Sequence, residues 1–147
     1  MQASSGITDI AHGIQLAVAP VFLLSGVGVI LTVLTNRLAR IIDRARALEG
    51  GLPGIAVPTE AIHAELRTLS RRAALVHRAI TLSTACALLI CLVIVTLFTG
   101  ILVVRDLSAL IALIFIAGLC AFIGALICFL LEIRTATASL RFGPGPH

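Results

Sequence analysis

The chain has no tryptophan, no tyrosine and no lysine, and it has little charge of either sign. Only 12% of its 147 residues are charged, about half the usual share for a soluble domain. That scarcity argues against a soluble globular protein. With 59% hydrophobic residues and a mean hydropathy of +1.14, the composition points to a membrane instead. Without Trp and Tyr the chain cannot build the usual aromatic belts at the membrane surfaces. Its six phenylalanines offer no polar tip there, so arginine has to carry more of the anchoring. Catalytic signatures are missing too: no HExxH, GxSxG, GxxxxGK[ST] or GxGxxG occurs. His12, His63 and His77 stand apart, and His147 ends the chain. The expectation is a protein that is not an enzyme and needs no cofactor.

The four cysteines, Cys86, Cys91, Cys120 and Cys128, all fall in apolar stretches, and none forms a CxxC pair. A secreted disulfide framework is therefore excluded. Cys86 and Cys91 are five apart and point in different directions on a helix. A metal site needs three or four converging ligands, and buried cysteine is most often a small apolar residue. No metal ligand is assigned. A membrane redox or metal protein is carried only as a third functional reading.

Three stretches hold no Asp, Glu, Lys or Arg: Ile10–Asn36, Ala79–Val104 and Leu107–Leu131. Each exceeds the roughly 20 residues that a helix needs to cross the hydrocarbon core. The sequence therefore predicts an all-α fold with transmembrane helices at 10–36, 79–104 and 107–131. Residues 1–13 contain Asp9 and His12 but no Lys or Arg. A cleavable leader would start with positive charge, so the first span is expected to be retained. Thr8 and Asp9 are the expected N-caps of its helix. Pro20 lies inside it and predicts a kink.

All eleven basic residues are arginine. Eight lie between the first two spans: Arg37, Arg40, Arg44, Arg46, Arg67, Arg71, Arg72 and Arg78. Arg134 and Arg141 follow the third span, and Arg105 sits alone between the second and third. The positive-inside rule then places the N-terminus outside, 37–78 and the C-terminus in the cytoplasm, and the turn at Arg105–Asp106 outside. Asp106 or Ser108 is the expected cap of the third helix. The net charge of +4 suits anionic lipid headgroups more simply than nucleic acid, which is not an expected partner.

Residues 37–78 have their own pattern. Leu34, Leu38, Ile41, Ala45 and Leu48 follow at heptad spacing, as do Ile62, Leu66, Leu69, Ala73, Val76 and Ile80. Between them, EGGLPGIAVP at 49–58 is a loop of glycine and proline, and Thr59 restarts a helix. The expectation is an antiparallel cytoplasmic hairpin that extends the first two membrane helices. Residues 132–147 are read as a short polar cytoplasmic tail that frays. The whole chain reads as one membrane domain.

On the first helix, Ser25, Gly28, Thr32, Asn36, Ala39 and Asp43 fall on one line, roughly opposite the heptad seam. Two readings fit this line: a wall facing water or an ion path, or close packing between helices, where small and hydroxyl side chains are the usual glue. Arg37, Arg40 and Arg44 flank the line, with Asp43 placed to offset the like charges of Arg40 and Arg44; they are candidates for lipid-headgroup or partner binding, for a charged ring at a pore mouth, or for subunit contacts through Asp43. Arg67, Arg71 and Arg78 share a face of the second arm, beside His77, and suit acidic lipid or an acidic partner. In the third span Cys120, Gly124, Cys128 and Glu132 form an i+4 row, with Ala117, Ala121 and Ala125 beside it. Both rows are read as a tight packing face. Three helices of this length bury little alone, so a homo-oligomer with cyclic symmetry is expected.

The run PVFLLSGVGVILTVLTNRLARIIDRARALE, Pro20 to Glu49, resembles a family of small bacterial integral membrane proteins catalogued as a domain of unknown function. The matching elements are Leu24, Ser25 and Gly26, then Asn36 to Arg44, and the likeness continues through LSRRAALVHRAITL and the third span. The resemblance implies a bacterial plasma-membrane protein of this topology. It implies no activity and carries over no site residues. Three functions are therefore weighed: a homo-oligomeric scaffold or accessory protein with an arginine-rich cytoplasmic hairpin, an oligomeric ion channel or pore lined by the first helix, and the redox or metal protein.

Overall fold

A computed structural model describes residues 2–50, 59–103 and 106–140. They form three helices: α1 Gln2–Glu49, α2 Thr59–Val103 and α3 Ser108–Leu140. Each is long and apolar enough to cross a membrane, within Ile10–Glu49, Ile62–Val103 and Ser108–Thr137. At 1.5 Å per residue the 48 residues of α1 reach about 70 Å. The hydrocarbon core is about 30 Å thick, so α1 extends well beyond it. The 45 residues of α2 do the same.

The helix ends differ from expectation in two places. α1 begins at Gln2, so Thr8 and Asp9 lie inside it rather than capping it. A cap contributes about 1 kcal/mol, and nothing in residues 2–7 forbids the backbone bonds that extend the helix past it. Pro20 removes one such bond without ending α1. At the other end of the chain, α3 continues past Glu132 to Leu140. Residues 133–140 contain no Gly or Pro. The hydroxyls of Thr135 and Thr137 donate to the carbonyls of Leu131 and Ile133, at 2.8 and 3.1 Å, so the polar side chains are satisfied within the helix. Of the loop expected at 49–58, Glu49 is the last residue of α1 and Gly50 a turn; residues 51–58, the Arg105 turn and the end of the tail at 141–147 lie outside the described residues.

Other ends are as the residues suggest. The Gly50 amide donates to the Arg46 carbonyl at 2.9 Å, closing α1. Glu60 sits in the first turn of α2, where a negative charge meets the positive end of the helix dipole. The Asp106 carboxylate accepts the Ser108 amide at 3.0 Å and so caps α3. Hydrogen bonds from the Ser108 hydroxyl and amide hold the Asp106 pKa below the ordinary carboxylate value.

The chain divides into two compact units. The first comprises Met1–Leu31 and Leu82–Ile123. Its sequence holds only Asp9, Arg105 and Asp106 as charged residues. Val27, Cys86 and Ile90 are fully buried at its centre, packed by Leu23, Leu24, Ile94, Phe115 and Phe122 among others. Gly118 brings α3 close to α2: a Cβ there would lie 3.4 Å from the Ile90 side chain and 3.5 Å from Leu89. Gly13 is closed in by Ile101, Leu97 and Phe98. By contrast, a Cβ at Gly26 or Gly28 would meet nothing within 4 Å.

The second unit comprises Thr32–Thr81 and Gly124–His147. It contains all eight arginines of the stretch between the first two spans. Both heptad seams turn inward. Leu34, Ile41, Leu69 and Val76 are buried, and the remaining seam positions from Leu38 to Ile80 are half-buried. Ile41 and Ala45 of α1 line one cavity with Leu66, Leu69 and Ala73 of α2.

The expected packing rows of α3 are redrawn. Cys120 and Ala117 are exposed, while the inward line runs Gly118, Ala121, Ala125, Cys128 and Glu132. Steps of four overshoot the 3.6-residue turn by about 40° each and wind off the face. Alternating steps of three and four hold it.

Candidate functional site

In the second unit the inward line of α3 ends on a carboxylate. Glu132 is fully buried. An unpaired charge in that position would cost several kcal/mol. Two arginines prevent this. Arg37 of α1 donates through Nη1 to Oε2, and Arg72 of α2 donates through Nε and Nη2 to Oε1 at 3.1 and 2.9 Å. One carboxylate thus ties together segments of all three helices. The Arg37 guanidinium also lies over the Phe129 ring, 5.3 Å from its centre. That cation–π contact comes from one turn back on the helix that carries Glu132.

The helical registers explain the meeting. Arg37 lies three residues after the buried Leu34, and Arg72 three after the buried Leu69, so both sit next to the seam. A planar guanidinium can reach sideways from a seam position and present two donors to one carboxylate. About two turns further along α1, Arg44 meets Glu65 of α2 through Nε at 3.0 Å and Nη2 at 2.9 Å. Both partners are substantially exposed, so this pair contributes at most about 1 kcal/mol. Asp43 was expected to offset the like charges of Arg40 and Arg44; the partner that Arg44 meets is Glu65.

Arg37, Arg40, Arg44, Arg72, Glu132, Ile41 and Leu69 line a half-open cavity of about 270 Å³. Of the expected lipid- or partner-binding arginines, Arg37 and Arg44 are therefore committed to carboxylates. Arg40, Arg67, Arg71 and Arg78 are exposed. Arg67 and Arg71 border an open groove on α2 with His63, Leu66 and Ser70.

The polar line of α1 is also exposed in the single chain. Ser25, Gly28, Thr32, Asn36 and Asp43 all face away from the packed residues. The Ser25 hydroxyl turns back to the Val21 carbonyl at 3.4 Å. Among the described residues, no three of His, Cys, Asp and Glu gather as metal ligands. Cys86 is buried, Cys128 half-buried, and Cys91 and Cys120 are exposed.

The Arg37–Glu132–Arg72 cluster was missed in the sequence, where Glu132 reads only as the end of a small-residue row. A signal was present. Glu132 is the only acid after Asp106, and it directly follows the uncharged run that ends at Leu131. A carboxylate in that setting needs a cation, and Arg37 and Arg72 are among the arginines on seam-adjacent positions.

Glu132→Gln keeps the side-chain shape but leaves two guanidinia without their countercharge. Both guanidinia keep some access to water, so the expected loss is about 1–3 kcal/mol of unfolding free energy, seen as a lower thermal midpoint in detergent. Glu65→Gln should shift stability by no more than about 1 kcal/mol. Equal small shifts in both variants would contradict the role given to Glu132.

The chain belongs to the family described as "Protein of unknown function (DUF2721)", whose model matches residues 17–142. No curated protein and no solved structure gives a significant match.

Proposed function

We propose that this DUF2721 protein is a non-enzymatic, homo-oligomeric scaffold or accessory protein of the bacterial plasma membrane. In this reading its arginine-rich segments form a cytoplasmic hairpin that engages anionic lipid headgroups. The N-terminus lies outside and the C-terminus in the cytoplasm. The observation that carries the reading is the separation of two arginine populations. Arg37, Arg44 and Arg72 are paired with carboxylates. Arg67, Arg71 and Arg78 are exposed on α2 and can present their charge outward. Each basic residue near an anionic bilayer contributes about 1 kcal/mol of attraction. The lengths of α1 and α2, beyond what the hydrocarbon core requires, support a hairpin that continues the two helices past it.

Spin-labelled lipid tests this directly. In phosphatidylcholine bilayers containing the full chain, spin-labelled phosphatidylglycerol should associate several-fold more strongly than spin-labelled phosphatidylcholine. The preference should weaken as salt rises. Replacing Arg67, Arg71 and Arg78 together by Glu should abolish it. A preference unchanged in that variant would overturn the lipid-binding role.

The exposure of Ser25, Thr32 and Asn36 favours a second reading, an oligomeric ion channel or pore lined by α1. Here Thr32→Leu should abolish ion flux in proteoliposomes while the oligomer stays intact. Flux at the wild-type level would remove this lining.

A further inference from the structure

The cavity beside Glu132 has a composition that the lipid-facing reading does not use. Four guanidinia, from Arg37, Arg40, Arg44 and Arg72, line it against the single carboxylate of Glu132. Even after Arg44 is balanced by Glu65, the lining keeps an excess of positive charge. A guanidinium has five N–H donors. Glu132 takes one nitrogen of Arg37 and two of Arg72, which leaves donors on both. Arg40 forms no hydrogen bond or ion pair among the described residues and is exposed. The apolar walls, Ile41 and Leu69, are buried and lower the local polarity around whatever enters.

We propose that this cavity is a binding site for a phosphate-class oxyanion. Arg40 and the remaining donors of Arg37 and Arg72 hold the anion. Glu132 acts from behind as a positioning residue: it fixes two flexible arginines so that their forks converge before the ligand arrives, which reduces the ordering cost of binding. The chemistry selects phosphate for two reasons. Planar guanidinia match its oxygens two at a time, and a tetrahedral dianion can take donors from several directions at once. A neutral ligand would leave the excess charge unbalanced. The same group occurs in free phosphate or phosphomonoesters and in the phosphodiester of a lipid headgroup. The site uses none of Arg67, Arg71 and Arg78, so it goes beyond the lipid-facing reading and fails independently of it.

The test uses the full chain in neutral detergent. Inorganic phosphate is titrated against chloride at constant ionic strength, and the thermal midpoint is followed. In parallel, native mass spectrometry records phosphatidylglycerol and phosphatidylcholine retained at equal concentration. Arg40→Ala probes the site; because Arg40 is exposed and has no ion-pair partner among the described residues, the fold should tolerate its loss. Arg46→Ala is the control, an exposed arginine of the same helix that does not line the cavity.

A midpoint raised by phosphate, with apparent affinity at least about tenfold weaker in Arg40→Ala and unchanged in Arg46→Ala, establishes a site for free phosphate. Retention of phosphatidylglycerol over phosphatidylcholine, lost in Arg40→Ala alone, establishes a headgroup site. Binding of neither probe overturns the proposal. So does an equal loss in both variants, because the binding would then belong to general basic charge. The triple α2 charge reversal should leave the Arg40-dependent binding in place.

Discussion

A carboxylate buried at the end of an apolar helix can persist only if the chain supplies its countercharge. Glu132 has no accessible surface, and the second unit is arranged around satisfying it. Arg37 comes from α1 and Arg72 from α2, so the requirement of one side chain fixes the rotation of three helices. Apolar packing alone is weakly directional, and a seam of Leu, Ile and Ala tolerates sliding. The fork geometry of two guanidinia on one carboxylate does not. The pairing costs desolvation and contributes little net stability. We infer that its effect is specificity, holding the seams of α1 and α2 in one register.

Much of this was legible in the residues. Charge-free runs longer than a bilayer mark the three helices, and alternating three- and four-residue steps mark the inward faces of α1 and α2. Those signals survive because each rests on a local period. What the sequence hid depended on contacts between distant segments. Glu132 lies 95 residues from Arg37 and 60 from Arg72, and no periodicity links them. The α3 packing face was misdrawn for a smaller reason: a row of i+4 steps looks straight on paper but drifts around a real helix. The cap at Thr8 and Asp9 failed because a cap preference is weaker than the tendency of a helix to continue.

The same contacts sort the arginines by purpose. Read as a cluster, TNRLARIIDRAR suggests uniform anchoring, but its members differ. Arg37 is structural, Arg44 is paired at the surface, and Arg40 is left facing a cavity. The line from Ser25 to Asp43 faces away from the chain's own core throughout. The heptad seam uses the other side of α1 completely, leaving this side to lipid, water or another subunit.

The most direct test of the account is a double-mutant cycle between Arg72 and Glu132. Unfolding free energies would be measured in mixed detergent for Arg72→Leu, Glu132→Leu and the pair together. If the carboxylate fixes the register through its arginines, Glu132→Leu leaves two guanidinia without their countercharge and Arg72→Leu leaves Glu132 with Arg37 alone, so both single changes remove the same Arg72–Glu132 interaction. The double change should then cost much less than the two losses combined. Losses that simply add would mean that the two residues act independently, and the central role of Glu132 would be contradicted.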